Sequence, residues 1–182
     1  VDQYNKQWNA LPVSVEAIDV ELAKKLAKND TGKMRLINLW STSCGPCVAE
    51  FPMLVETYQR HSLRPLELIT ISIDPKKDAD SVSSFIKEQH LPLARWTKKS
   101  VEKEGRKTNN FHYRAGDLEA LANAIDPKWQ GPIPHTLLIA PGGEVVWRKT
   151  GALDEQELRN VLIDEMTKAK ILYLSKNCIV YM

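Results

Sequence analysis

The chain has 182 residues, 43% of them apolar, and 25 basic against 23 acidic side chains give a net charge of +2. That size fits one domain spanning 1–182, with a sizeable core and room for additions to a minimal fold, and the even charge balance argues against a nucleic-acid or membrane-surface partner. No apolar run approaches the roughly 18 residues that span a bilayer; the start at Val1 is polar, and its departure from methionine is the expectation for a processed or trimmed N-terminus, leaving a removed export signal or missing anchor open.

In chain order, residues 1–14 read as a lead-in containing Pro12, with room for a short strand. Residues 16–28 read as a helix, because Ile18, Leu22 and Leu26 share one face, and Asn29-Asp30-Thr31-Gly32 stops it. Residues 1–29 are together expected to form an N-terminal extension. Met34 to Trp40 is a short apolar run that predicts a buried strand, followed directly by a loop from Ser41 to Gly45. A helix is expected from about Cys47 to Arg60, with Phe51, Leu54, Val55 and Tyr58 facing inward and a kink at Pro52, which lacks a backbone donor. Leu66 to Ile73 predicts the next strand, 79–89 a helix carrying Val82, Phe85 and Ile86, and Leu93 to Thr97 a further strand. Residues 98–115 are the least regular, setting Lys98, Lys99, Lys103, Arg106, Lys107 and Arg114 against Glu102 and Glu104. Two readings stay open there, a solvated loop and a surface that meets an acidic partner. Asp117 to Ile125 reads as a short helix. His135 to Ala140 and Glu144 to Lys149, on either side of Pro141-Gly142-Gly143, predict a β-hairpin. Asp154 opens the last helix with Glu157 in a capping-box-like start, and Leu158, Val161, Leu162 and Met166 form its buried stripe. This order predicts an α/β fold, a central mixed sheet flanked by helices, parallel first and antiparallel at one side.

There are three cysteines: two in Cys44-Gly45-Pro46-Cys47, and Cys178 near the C-terminus. Three are too few for a disulfide framework. A structural zinc needs four ligands, and no second Cys-x-x-Cys or His pair is present, since His61, His90, His112 and His135 are scattered. No metal and no cofactor are expected. What singles out the close pair is its placement, after a buried strand and at the opening of a helix. A helix N-terminus presents unpaired N–H groups and a partial positive charge. Both favour a thiolate, and cysteines so placed have pKa values lowered from about 8.5 into roughly the 3.5–7.5 range. The thiolate is the attacking species in disulfide exchange. Cys44, ahead of the helix, is expected to be the more exposed sulfur and to attack; Cys47, one turn in, is expected to resolve the mixed disulfide; Pro46 stiffens the loop. The blander reading is an inert disulfide or half of a shared metal site.

The segment Leu39-Trp40-Ser41-Thr42-Ser43-Cys44-Gly45-Pro46-Cys47 resembles the active-site segment of thioredoxins. Val48-Ala49-Glu50-Phe51-Pro52 resembles more closely the TlpA/ResA-type branch, which includes membrane-tethered reductases of cytochrome c maturation. Gly131-Pro132-Ile133-Pro134-His135-Thr136-Leu137-Leu138-Ile139 resembles the segment carrying that family's cis-proline, Pro141-Gly142-Gly143-Glu144 its hairpin turn, and Thr150-Gly151-Ala152-Leu153 the lead into its final helix. The resemblance covers about residues 30–168. It implies a thioredoxin-like fold with an inserted helical and loop segment before the cis-proline strand. It also implies that Pro134 is cis beside Cys44, that the Ile133 backbone pairs with an extended substrate peptide, and that Trp40 packs under the active-site loop, where plain core packing is the compatible alternative.

The departures from the family carry expectations too. Asn38 stands where thioredoxins place a buried Asp, and an amide cannot titrate, so proton relay to the second cysteine falls to another carboxyl, with Asp74 and Glu50 the nearest candidates. Asp74 also reads as a turn residue before Pro75. Ser43 stands in place of the tryptophan before the first cysteine. His135, where a threonine is common, reads as a partly exposed strand-end residue, with thiol tuning or substrate contact as the sharper reading. The last helix is expected to end near residue 168, leaving 169–182 as an extension, an added strand or part of an interface, with Cys178 a buried small hydrophobe or a third redox thiol.

The resemblance implies a thiol–disulfide oxidoreductase, in the reducing direction, acting on protein thiols and disulfides and recharged by a separate membrane or soluble electron donor, in an exported, periplasmic setting. The alternative is a thioredoxin-like peptide-binding or redox-sensing module without turnover. A copper carrier of the related Sco type would want a longer cysteine spacing and a matched histidine, neither of which is evident.

Overall fold

Two apolar runs form the centre of the molecule. Met34–Trp40 (β2) and Leu66–Ser72 (β3) lie side by side in parallel and are buried along their whole length. The computed structural model describes residues 2–61, 65–94 and 97–178. Around the central pair, in chain order, stand α1 (Asp2–Asn9), β1 (Glu16–Ile18), α2 (Val20–Lys28), α3 (Gly45–Arg60), α4 (Ala79–Gln89), α5 (Lys98–Lys103), β4 (Asn110–Tyr113), α6 (Leu118–Ile125), β5 (His135–Ile139), β6 (Val145–Thr150) and α7 (Glu155–Cys178). The sheet order is β1-β4-β3-β2-β5-β6. The first four strands run parallel, and β5 and β6 run antiparallel, so the expected mixed sheet is present.

Strand periodicity divides the core. Ile37, Leu39, Ile69, Ile71 and Leu137 face α2 and α6, packing on Leu26, Leu121 and Ile125. Leu36, Leu68 and Leu138 face the other way, onto Leu54 and Tyr58 of α3 and Leu158 and Leu162 of α7. Each such side chain, taken from water, contributes roughly 1.5–3 kcal/mol. Asn29 ends α2 in the left-handed conformation, and its side-chain amide donates to the Lys33, Ile139 and Ala140 carbonyls at 2.7, 3.3 and 3.0 Å. Gly143 of the hairpin turn comes so close to this helix end that a Cβ would fall 2.9 Å from the Lys28 carbonyl oxygen.

Several elements differ from the sequence-based expectations. Residues 2–9 are helical, and Trp8 is buried edge-on to Tyr58, 5.8 Å between ring centres. The expected helix over 16–28 splits into β1 and α2, because Asp19 accepts the Leu22 amide at 2.7 Å and caps a helix that starts only at Val20. The segment assigned to an N-terminal extension thus supplies an edge strand, paired in parallel with β4. Residues 93–94 are not strand, and Arg95 and Trp96 lie outside the described residues. Helix α7 continues past residue 168 to Cys178. The expectations for the side chains of residues 171–174 and Cys178, and for residues 179–182, lie outside what the structure describes. Among the described residues no helix is long and apolar enough to cross a membrane.

The irregular, charge-rich stretch is not a solvated loop. It contains α5 and β4, and its Arg106 is buried with Arg35 and Glu67 beside the half-buried Glu104. Arg35 Nε donates to Glu67 at 2.7 Å, and its terminal nitrogens pair with Glu104. Arg106 lies 3.6 Å from both carboxylates. Two positive and two negative groups thus neutralise one another beneath α2, whose Leu26 carbonyl accepts from Arg35 at 3.0 Å.

Candidate active site

Strand β2 ends at Trp40, at the carboxyl end of the parallel strands, a short loop follows, and Cys44 caps α3. Cys44 has extended backbone angles, and its sulfur accepts the Cys47 amide at 3.3 Å. Pro46 fits the first turn, where no amide donor is needed. No acidic residue stands in that turn to offset the positive end of the helix. The two sulfurs are joined as a disulfide, 2.10 Å apart.

The cysteines differ in access. Cys47 is 0% exposed, inside a cluster of Trp40, Phe51, Val82 and Ile86. Cys44 is half-buried at the border of the same cluster, as are Ile133 and Phe85. Trp40 lies 4.7 Å from the Phe51 ring and 4.9 Å from Phe85. It packs beneath the loop.

The Ile133-Pro134 bond is cis. The segment is held on both sides: Trp129 Nε1 donates to the Pro132 carbonyl at 2.7 Å, and the Gly151 amide to the Pro134 carbonyl at 2.8 Å.

The two carboxyl candidates have opposite surroundings. Glu50 is 6% exposed, one turn along α3 from Cys47. It accepts Asn38 Nδ2 at 3.0 Å and the Leu153 amide at 2.9 Å. Burial pushes its carboxyl above the ordinary value and outweighs those two donors. Burial also pushes Asp74 upward, but bonds from Ser72, Thr42 and Ser41 more than cancel it, and its carboxyl ends below the ordinary value. Asp74 is therefore an ionised acceptor that ties the loop to the end of β3, with Ser41 Oγ at 2.9 Å and the Thr42 amide at 3.0 Å.

His135 is 1% exposed, against the expectation of a partly exposed strand end. It is enclosed because Asp126 accepts its Nε2 at 3.0 Å, Thr150 Oγ1 meets Nδ1 at 2.8 Å, and Trp129 stacks on its ring. Arg148 donates to the same Asp126 at 2.9 Å. Sequence reasoning missed this network, although His135 directly follows Pro134 and pointed to it. Among the described residues no group of three or more His, Cys, Asp or Glu side chains is arranged to hold a metal ion.

Comparison with known proteins agrees with this architecture. The chain is 28% identical over 135 residues to the thiol-disulfide oxidoreductase ResA of Oceanobacillus iheyensis, covering 73% of this chain and 57% of that protein. It is 26% identical over 131 residues to the ResA of Bacillus subtilis, covering 72% and 60%. A thiol:disulfide interchange protein DsbE homolog of Paracoccus denitrificans is 27% identical over 136 residues, covering 75% and 61%. The chain thus spans about three fifths of the length of these relatives. Among solved structures, a Chlorobium tepidum protein assigned as a thiol:disulfide interchange protein DsbE superposes with a TM-score of 0.52 at 16% identity, covering 75% of this chain and 82% of that one. The thioredoxin domain of a Bacteroides vulgatus thiol-disulfide oxidoreductase gives 0.51 at 20% identity, covering 78% and 83%. At such identities the likeness shows the fold, which is thioredoxin-like. The model of the Redoxin family matches residues 14–162. With a match that takes in both cysteines, the cis-proline and all six strands of the sheet, the chain belongs to the Redoxin family.

Proposed function

We propose that the protein is a thiol–disulfide oxidoreductase that reduces disulfides in other proteins. The observation that carries the reading is the asymmetry of the pair: a half-buried Cys44 sulfur that accepts a helix-terminal amide, beside a wholly buried Cys47. In the reduced protein the Cys44 thiolate attacks one sulfur of a substrate disulfide, and the other leaves as a thiolate. Cys47 then loses its proton and attacks Cys44. The first substrate sulfur leaves as the second thiolate, and both thiolates take up protons. The products are the Cys44–Cys47 disulfide and a dithiol substrate, so a separate donor of two electrons must restore the pair.

Ile133, Pro134 and Trp40 have supporting parts in this reading. The Ile133 backbone offers its polar groups to an extended peptide, Pro134 sets that edge beside Cys44, and Trp40 supports the loop from below. Glu50 rather than Asp74 serves as the relay for the Cys47 proton. It is on Cys47's own helix, and its raised carboxyl exchanges protons nearer neutrality. Asp74 is engaged in holding the loop. An exported setting and a part in cytochrome c maturation belong to the same proposal, on the strength of the ResA-like resemblance.

Replacing Cys44 with serine tests the reading. Disulfide-reducing turnover should vanish, while a Cys47→Ser variant should accumulate a mixed disulfide attached through Cys44. A Cys44→Ser protein that still turns over, or a partner trapped on Cys178, overturns it. Partner binding that persists in every cysteine variant, with no turnover in the parent protein, favours the peptide-binding module instead.

A further inference from the structure

The pairing register sets Trp40, Ser72 and His112 in one row across β2, β3 and β4. The residues that follow this row, Ser41–Cys44, Asp74 and Arg114, therefore share the carboxyl end of the parallel strands, the end that carries the disulfide. A continuous set of hydrogen bonds joins them. The Cys44 amide donates to the Ser41 carbonyl at 3.1 Å, and Ser41 Oγ donates to Asp74 at 2.9 Å. His112, fully buried, bonds through Nε2 to the Asp74 backbone carbonyl at 2.8 Å. Its Nδ1 accepts Arg114 Nε at 3.1 Å. A carbonyl on one side and an N–H on the other assign the tautomer: Nε2 carries the proton and Nδ1 the lone pair.

Arg114 itself is exposed. Its Nε is spent on a neutral ring, and among the described residues no carboxylate pairs with its two terminal amino groups. Asp117, three positions on, is committed to capping α6 through the Ala120 amide at 3.0 Å. The other cations of the same basic stretch are accounted for elsewhere. Lys98 pairs with Glu102 and Lys103 with Asp30, while Arg106 belongs to the buried ionic cluster. Lys107 precedes β4 and Lys99 lies beside Lys33, both at the opposite end of the strands. Of the basic residues between 98 and 115, Arg114 alone is presented at the disulfide's end of the strands, as a two-pronged donor already held in place.

We propose that Arg114 is a recognition residue for substrate proteins that carry a carboxylate side chain near the reacting cysteine. The proposal deepens the reading of Cys44–Cys47 as an exchange centre and rests on it. β4 stands two strands from β2, about 10 Å away, which an extended peptide covers in about three residues. The matching Asp or Glu lies about three residues from the reacting cysteine, on the side away from the segment laid along Ile133. A planar guanidinium suits a carboxylate better than an ammonium does, because it offers two parallel N–H groups.

The test uses extended peptides whose single cysteine is capped as a disulfide with neutral 2-mercaptoethanol, with Glu or Gln three residues before or after it. The reduced protein should exchange with the better-placed Glu peptide about two- to five-fold faster than with its Gln twin at low ionic strength, the range of an exposed ion pair. The preference should shrink toward one in 0.5 M salt. Arg114→Gln should bring the ratio to one, and Arg114→Glu should reverse it in favour of a Lys peptide. Because each result is a ratio within one protein, partial misfolding does not imitate it. Equal rates in the parent protein, or a Glu preference that survives Arg114→Gln, overturn the proposal. If the parent protein exchanges with neither peptide, the exchange reading fails. Binding of the same peptides by a Cys44→Ser/Cys47→Ser protein then decides the role of Arg114: a Glu preference that depends on Arg114 supports it, and equal affinities overturn it.

Discussion

Asn38 Nδ2 donates to a Glu50 carboxylate oxygen at 3.0 Å, so the amide at the centre of the sheet anchors the buried acid of α3 instead of titrating itself. The same nitrogen also lies 3.0 Å from Thr136 Oγ1 on β5. Asn38 therefore ties together α3 and β5, and it holds in place the carboxyl proposed as the proton relay.

Glu50→Gln keeps the size of the side chain and removes the titration, leaving one oxygen to accept where Glu50 accepts from both Asn38 Nδ2 and the Leu153 amide. In the unaltered protein, resolution of the mixed disulfide should speed up as pH rises through the elevated pKa of Glu50. In the variant that limb should disappear and the step should slow by about 10²-fold, the lower end of what a positioned base contributes. Stability should change with the opposite sign. A carboxyl whose folded pKa is raised favours the folded state at low pH, and that contribution is lost as pH climbs from about 4.5 through the folded value. The stability of Glu50→Gln relative to the parent should therefore rise between pH 4 and neutrality, as urea midpoints would show. Identical pH–rate profiles would remove Glu50 from the relay.

His135 gives a second pH signature. Burial lowers its affinity for a proton, and Asp126 only partly offsets this. The unfolded chain takes up the proton near pH 6.5 and the folded one resists, so stability should fall as pH drops below about 6.5. His135→Gln can still bond to Asp126 and Thr150, and should lose this dependence between pH 7.5 and 5. The difference in urea midpoint between variant and parent isolates His135 from Glu50. A difference that does not vary with pH would show that the ring is not held neutral.

The Arg35–Glu67 pair is 2.7 Å long and wholly buried. Arg35→Met would leave Glu67 and Glu104 with Arg106 as their remaining partner in the cluster, and should destabilise by about 3–5 kcal/mol. The double variant Arg35→Met/Glu67→Leu removes one charge of each sign, keeps Arg106 beside Glu104, and should recover much of that loss. A single-variant cost under about 1 kcal/mol would mean that water reaches the cluster. Failure of the double variant to recover would assign the cost to packing instead of charge.

The exchange centre was legible because its signals are local. A run of apolar residues, a Cys-x-x-Cys motif and a helix opening lie within Met34–Arg60, and each constrains its neighbours. The hairpin after Pro134 was likewise readable from Gly, Pro and short apolar runs, whereas the cis bond at Pro134 was implied by the family resemblance alone. What escaped notice depends on distant partners. A strand of three residues, β1, has too few alternations to be told from the helix beside it. Arg106 reads as one more surface cation until Glu67, far off in the chain, is brought 3.6 Å away. His135 looked like an exposed terminus because Asp126 and Thr150, which enclose it, meet only once α6 and β6 are placed. Between Glu50 and Asp74 the sequence left a tie, since the hydrogen bonds that leave one carboxyl above its ordinary value and pull the other below it come from residues brought together only by the fold.

The packing of Trp40 has an optical consequence. Its indole shares a dry cluster with Cys47 and is 0% exposed, shielded from quenchers dissolved in the solvent. A neighbouring disulfide drains an excited indole of its emission far better than two thiols do. Ultraviolet luminescence from this ring should therefore brighten when the pair accepts electrons and dim when it passes them on, giving a built-in, label-free readout of each half-cycle in real time.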